Sequence, residues 1–152
     1  MRHRQAIALL ALVGFCIALY LWMYKIGIIG RLQCGTGTCE YVQTSRYGTL
    51  FGVPVAFYGM VGYAVIFAVA LAGLQPAFAD RRWPTTVAAA CAVGGLLFTL
   101  YLTYIELLVL HAICRWCVGS AIVITLIAVV AIGGALRRER RAVSSPVPRT
   151  GP

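Results

Sequence analysis

Four apolar runs dominate the chain, covering residues 7–24, 53–74, about 85–110 and about 118–136. Each comes near the roughly 20 residues that cross a bilayer's hydrocarbon as a helix. In hydrocarbon every backbone N–H and C=O must be satisfied inside the segment, so runs of this kind become helices. With short connections they use nearly all of the 152 residues. The chain is 61% apolar, 11% charged and has a mean hydropathy of +0.88. A soluble domain has roughly 45–50% apolar and about 25% charged residues. A water-soluble globule is excluded, and no separate soluble catalytic domain fits. The expected fold is an all-α integral membrane protein, a four-transmembrane-helix bundle with a partly structured outer loop between its first two helices. Residues 1–136 form the membrane domain, and residues 137–152 read as a basic, disordered tail rich in helix breakers.

The net charge of +9 suggests a nucleic-acid binder until its placement is considered. The charges sit at the ends of the apolar runs, and no basic face with interleaved aromatics exists, so nucleic acid is not an expected partner. With a cytoplasmic N-terminus, the inner flanks hold Arg2, Arg4, Arg81, Arg82, Arg137, Arg138, Arg140, Arg141 and Arg149. The outer side holds Lys25, Arg31, Arg46 and Arg115. Nine against four favours both termini inside. The first run exceeds the h-region of a signal peptide and has no cleavage site after it, so it reads as a retained span. The polar stretch from 25 to 52 then lies outside, whereas residues 75–84 make a brief inner turn. Chemistry is expected at the outer face.

Four of the six cysteines fall there. Cys34 and Cys39 form C-x4-C in the first outer loop, and Cys114 and Cys117 form C-x2-C at the head of the fourth run. Cys16 and Cys91 lie inside apolar spans and read as small buried hydrophobes, their thiols held protonated. For the outer four, three readings stand: two static disulfides, a four-thiolate zinc site, or a redox relay. Bundles in lipid have little need of staples, and zinc sites made of four cysteines organise small soluble knuckles in reducing compartments. Cys114-Arg115-Trp116-Cys117, by contrast, opens a helix, where unpaired N–H groups and the dipole favour thiolate. Cys117 lies three residues past Cys114, roughly 4–5 Å deeper along a helix. The deeper sulfur is the one expected to meet a lipid-borne acceptor, of which a quinone is the common kind.

The residues resemble the vitamin K epoxide reductase (VKOR) family of membrane thiol oxidoreductases, in its short bacterial form. The matching pieces are Cys34-Gly35-Thr36-Gly37-Thr38-Cys39, Ser45-Arg46-Tyr47-Gly48, Phe51-Gly52-Val53-Pro54-Val55, and the run from Tyr101 to Ala121. The DsbB family performs a similar reaction but carries its C-x-x-C in the first outer loop; here that pair comes second. The resemblance implies a four-helix bundle around a quinone, ubiquinone or menaquinone, partly covered by the first loop. It implies that Cys34 exchanges with a partner's thiols, that Cys39 passes electrons inward through a transient disulfide with Cys114, and that Cys117 faces the quinone. Ser45 matches a loop serine that positions the site, although a turn or cap hydroxyl explains it equally. Phe51 is expected to wall the quinone pocket, and Trp116 to pack on the ring or mark the interface belt.

About 16 residues follow the fourth span. The resemblance therefore implies a separate thioredoxin-fold, DsbA-like partner outside a bacterial inner membrane, with the active site on the periplasmic side. Two other functions compete: reduction of a quinone epoxide, as in animal members, and a non-enzymatic bundle with static bridges or zinc. Glu106, an acid one turn below the outer end, reads first as an orienting group and second as a proton carrier. His111 reads as an interfacial anchor.

Overall fold

The computed structural model describes residues 2–34, 38–78, 81 and 83–143. Gly35, Thr36 and Gly37 of the loop motif, Arg82 of the inner flank, and residues 144–152 of the tail lie outside the described residues. The chain forms α1 (Arg2–Lys25), a short α2 (Thr38–Thr44), a two-stranded hairpin β1 (Thr49–Leu50) and β2 (Val53–Pro54), α3 (Val55–Ala72), α4 (Trp83–Tyr104) and α5 (Arg115–Val143). Among the described residues, four segments are long and apolar enough to cross a membrane: His3–Lys25, Val55–Ala72, Trp83–Val109 and Arg115–Arg137. These are the four expected runs with shifted ends. Pro84 falls in the first turn of α4, where its missing N–H costs nothing, so the third span starts earlier than its apolar run. The helix of the fourth continues through Arg137 to Val143, so residues 137–143 of the expected disordered tail are helical.

Each span packs on two neighbours, α1 on α3 and α5, and α4 on α3 and α5. The four therefore close into a ring. Lipid tails are as apolar as leucine, so helices in a bilayer associate through close packing of small residues. The core follows that rule: Ala8, Ala11, Ala92, Ala128 and Ala131 are buried around Ile7, Ile66, Ile124 and Ile127. Gly14 permits the closest approach. A Cβ there would lie 2.3 Å from the Tyr63 ring, so only glycine lets Tyr63 lie across α1. The Tyr63 hydroxyl then reaches Ser120 on α5, 2.9 Å from its carbonyl oxygen and 2.9 Å from its Oγ.

At the end that holds the start of α1, Arg4 is buried, 6% exposed. Its guanidinium donates to the carbonyl of Gly73 at the end of α3, to those of Phe78 (3.5 Å) and Arg81 (3.3 Å), and to Thr85 Oγ1 (3.3 Å). A guanidinium's several fixed donors suit the orphan carbonyls at a helix C-terminus, where the dipole also favours positive charge. One side chain thus ties α1 to α3, the inner turn and α4.

At the other end the connection from α1 to α3 folds back over the bundle. The Leu32 N–H donates to Glu40 Oε1 (3.1 Å), the Gln33 N–H to the Tyr20 hydroxyl (3.1 Å), and Lys25 Nζ to the Gln43 carbonyl (2.7 Å). In the hairpin, Thr49 pairs with Pro54 and Leu50 with Val53. Its two turn residues, Phe51 and Gly52, have φ of 51° and 79°. Positive φ at both central positions is the two-residue turn that matches strand twist. Phe51 therefore projects outward.

Candidate redox site

The site lies at the bundle end opposite Arg4, where α1, α2, α3 and the head of α5 meet. Cys34 and Cys39 are joined by a disulfide, with Cα atoms 6.1 Å apart. Cys114 and Cys117 are free thiols. Cys34, Cys39 and Cys114 are buried in one cluster with Leu21, Leu32, Val42, Ala56 and Ala112, and Cys117 packs against it. The two pairs named from the sequence are therefore brought together, one oxidised and one reduced.

Local structure explains each placement. The Val118 N–H donates to the Cys114 carbonyl (3.0 Å), the first bond of α5, which makes Cys114 the residue that caps the helix and Cys117 its third helical residue. The Arg-Trp-Cys turn is thus inside the helix, which begins at Arg115, as expected of a C-x2-C that opens it, ahead of the apolar run. The Cys117 thiol hydrogen-bonds the Cys114 sulfur and holds the Cys114 thiol below the ordinary range; burial opposes this, and the backbone N–H groups of Cys117 and Trp116 assist it. Cys114 is therefore a ready nucleophile, as a cysteine at a helix N-terminus should be.

The connection before Cys114 is fixed by Glu106. This residue sits in a single π-helical turn, Ile105–Val109, 6% exposed, and its Oε2 accepts the Cys114 N–H at 3.2 Å. Its carbonyl accepts the Ala112 N–H (3.0 Å), while Thr38 Oγ1 at the start of α2 donates to the Ile113 carbonyl (3.0 Å). His111 is exposed and takes a left-handed φ of 49°, the reversal that returns the chain to Cys114.

Beneath the cysteines a cavity of about 150 Å³ opens between α1, α3, α4 and α5. Its walls are mainly apolar, among them Leu21, Ile66, Phe98 and Ile124, with Cys117, Gln43, Tyr63, Ser120 and Glu106 as polar or reactive groups. Drug-sized pockets occupy roughly 300–1,000 Å³, so this one suits a single small ring. Cys117 is the cysteine of the two pairs that lines it. Cys91 lines it too, while Cys16 is exposed on the outside of α1.

Two expected lining residues stand elsewhere. Phe51 is 92% exposed and does not line the cavity, because the hairpin turn sends it away from the bundle. Trp116 does not line it either; its ring lies 4.8 Å from that of Tyr20, and its buried Nε1 has no acceptor among the described residues. Ser45 donates from Oγ to the Val42 carbonyl (2.7 Å) as α2 ends, the turn-hydroxyl arrangement.

Three residues not singled out in the sequence belong to the site. Tyr63 and Ser120 form part of the polar cavity wall. Gln43, 6% exposed, donates from Nε2 to Cys117 Sγ at 3.8 Å. Its spacing of four from Cys39 is the one signal the sequence offers, since i and i+4 share a helix face.

A family model described as the vitamin K epoxide reductase family matches residues 5–132. The chain belongs to the vitamin K epoxide reductase family. The match takes in all six cysteines, both pairs of the site among them, and every residue of the cavity wall. VKOR-family proteins are oxidoreductases that work with quinones, and this member is a multi-pass membrane protein of four helices.

Proposed function

We propose that this VKOR-family protein is a membrane thiol:quinone oxidoreductase that reoxidises a separate, extracytoplasmic, thioredoxin-fold protein of the DsbA kind. The observation that carries the reading is a closed Cys34–Cys39 disulfide sharing one buried cluster with a reduced Cys114–Cys117 pair whose deeper thiol lines an apolar cavity.

Thiol–disulfide exchange supplies the route. A partner thiolate attacks Cys34, the Cys34–Cys39 bond breaks and Cys39 leaves as thiolate; the partner's second thiolate then releases Cys34, and the partner departs oxidised. When Cys114 and Cys117 are joined, the Cys39 thiolate attacks Cys114 and Cys117 leaves. Cys34 then attacks Cys39, which closes the loop disulfide and frees the Cys114 thiolate. Two electrons have moved from the loop pair to the helix pair. The result is the thiol pattern of the structure, loop oxidised and helix pair reduced.

The cavity fits a quinone ring: an apolar enclosure with few polar groups is the usual form of such a site. A bound quinone supplies an acceptor of two electrons and two protons, matching what Cys114 and Cys117 release when they join. Cys117 would be the sulfur that faces it, with Tyr63, Ser120 and Gln43 as polar groups of the wall that would hold it. Glu106 holds the Cys114 backbone, so the nucleophile keeps its place at the head of α5.

The arginine distribution supports both termini cytoplasmic and the cysteine end outside, and the resemblance to the short bacterial form supports a bacterial inner membrane with that end periplasmic. Ubiquinone and menaquinone are the two candidate acceptors. The test is reconstitution of the chain in vesicles with a reduced thioredoxin-fold oxidase and either quinone. Loss of the quinone absorbance with oxidation of the partner is expected. Absence of turnover with both quinones, together with turnover of a quinone epoxide, would overturn it.

A further inference from the structure

Gln43 joins the loop half of the relay to a sulfur of the helix half through a group that exchanges no sulfur. It rides on α2, one turn beyond Cys39, and its side-chain amide reaches the Cys117 sulfur at the cavity wall. Three contacts fix the helix that carries it. Lys25 Nζ donates to the Gln43 carbonyl at 2.7 Å, and a Cβ on Gly48 would stand 2.3 Å from that same oxygen, so the chain closes on Gln43 as only glycine allows. At the far end of α2 the Cys39 sulfur is tied to Cys34. A seven-residue helix held at both ends moves as one body.

We infer that Gln43 is a positioning residue that couples the loop disulfide to Cys117. While Cys39 is bonded to Cys34, the amide N–H of Gln43 points at the Cys117 sulfur, which the Cys114 sulfur and the Glu106 carboxylate also face, and is the donor among these that favours a thiolate there through a charge-assisted bond. When the Cys34–Cys39 bond opens, α2 loses its tie at that end and Gln43 loses this alignment. The inference rests on Cys117 as the cavity-facing thiol, but its test uses neither quinone nor partner, so the two readings fail separately.

The experiment follows alkylation of Cys117 by N-ethylmaleimide in the full chain in vesicles, with Cys16, Cys91 and Cys114 replaced by alanine so that it is the one free thiol. Gln43 is compared with Gln43→Met and Gln43→Glu, which keep its size and remove the donor. At neutral pH both substitutions are expected to slow alkylation about threefold or more, the size of about half a pH unit in thiolate fraction. The three rates converge as pH rises and every protein is ionised. A lid that acts only by bulk gives equal rates at all pH values and overturns the donor role.

A second arm opens the loop by Cys34→Ala with Cys39→Ala. Opening slows Cys117 in the Gln43 protein and leaves it unchanged in the Gln43→Met protein, a non-additive cycle. Additive effects overturn the coupling. The rate at which dithiothreitol opens Cys34–Cys39 in the loop-intact proteins serves as the folding control; a variant in which that rate changes is replaced by Gln43→Leu and the comparison repeated.

Discussion

Cys34 is 1% exposed and Cys39 is fully buried. A loop cysteine assigned to exchange with an outside protein is thus closed off in the resting fold, and the stretch before it must lift for a partner to reach the disulfide. Two bonds hold that stretch down, Leu32 N–H to Glu40 and Gln33 N–H to Tyr20. A hydrogen bond of this kind contributes about 0.5–1.5 kcal/mol, which is a change of about two- to tenfold in the open population. Tyr20→Phe and Glu40→Ala are each expected to speed reduction of Cys34–Cys39 by dithiothreitol within that range, as followed by thiol trapping. Unchanged rates would mean that the loop opens elsewhere. Cys114 gives the pH prediction. Its thiol is held low, first by the Cys117 hydrogen bond, so its thiolate persists at lower pH than that of an ordinary cysteine. Cys117→Ala removes that bond. The pH profile for attack of Cys114 on the loop disulfide then moves upward, and the rate at neutral pH falls.

Among the elements, α2 and the turn before α5 carry the geometry of the site, and both are hard to see in the sequence. Apolar periodicity finds segments that face lipid, because a span must be apolar along its whole length. A seven-residue helix in a polar loop gives no such signal, so neither Gln43 nor the burial of Cys34 is legible. The F-G-x-P motif is legible as a family feature, but its role is not. Phe51 at a positive φ in a hairpin turn points away from the cavity, where the motif alone suggests a wall. The head of α5 is legible from the C-x2-C segment that opens it, while the apolar run starts about one turn later because Arg115 and Trp116 break it and remain helical. Gly48→Ala tests the element directly. Its Cβ would meet the backbone of Gln43, which cannot swing aside as a flexible side chain would. The end of α2 is expected to shift, with quinone reduction falling severalfold in a vesicle assay while the membrane-inserted fold persists. Glu106→Leu leaves the Cys114 N–H without its acceptor, and should reduce turnover more than Glu106→Gln, which keeps one.

Across the whole molecule, the four spans and the gathering of two cysteine pairs at one end are legible because length, hydropathy and alternation leave few arrangements. What joins the opposite end is not. Arg4 reads in the sequence as one basic flank residue among several, yet it is buried and bonds to α3, the inner turn and α4. Arg4→Ala removes donors from the buried Gly73 carbonyl and Thr85 hydroxyl and from two part-buried carbonyls, and bonds to charged groups contribute about 1.5–3 kcal/mol. Loss of about 2 kcal/mol or more is expected in detergent unfolding. Arg4→Lys restores little, because an ammonium cannot span acceptors on three elements. Equal stability of all three proteins would show that the clamp adds nothing to the bundle.

Sulfur exchange between the loop and the head of α5 is the step on which the proposed relay depends. In the full chain carrying Cys117→Ala, Cys117 cannot displace Cys39 from Cys114, and acid quenching protonates the freed Cys34 before it can reclose the loop. Proteolysis and mass spectrometry after acid quenching are expected to recover a peptide pair joined through Cys39 and Cys114. Recovery of Cys34–Cys39 alone, with Cys114 unmodified under every redox condition, would contradict it.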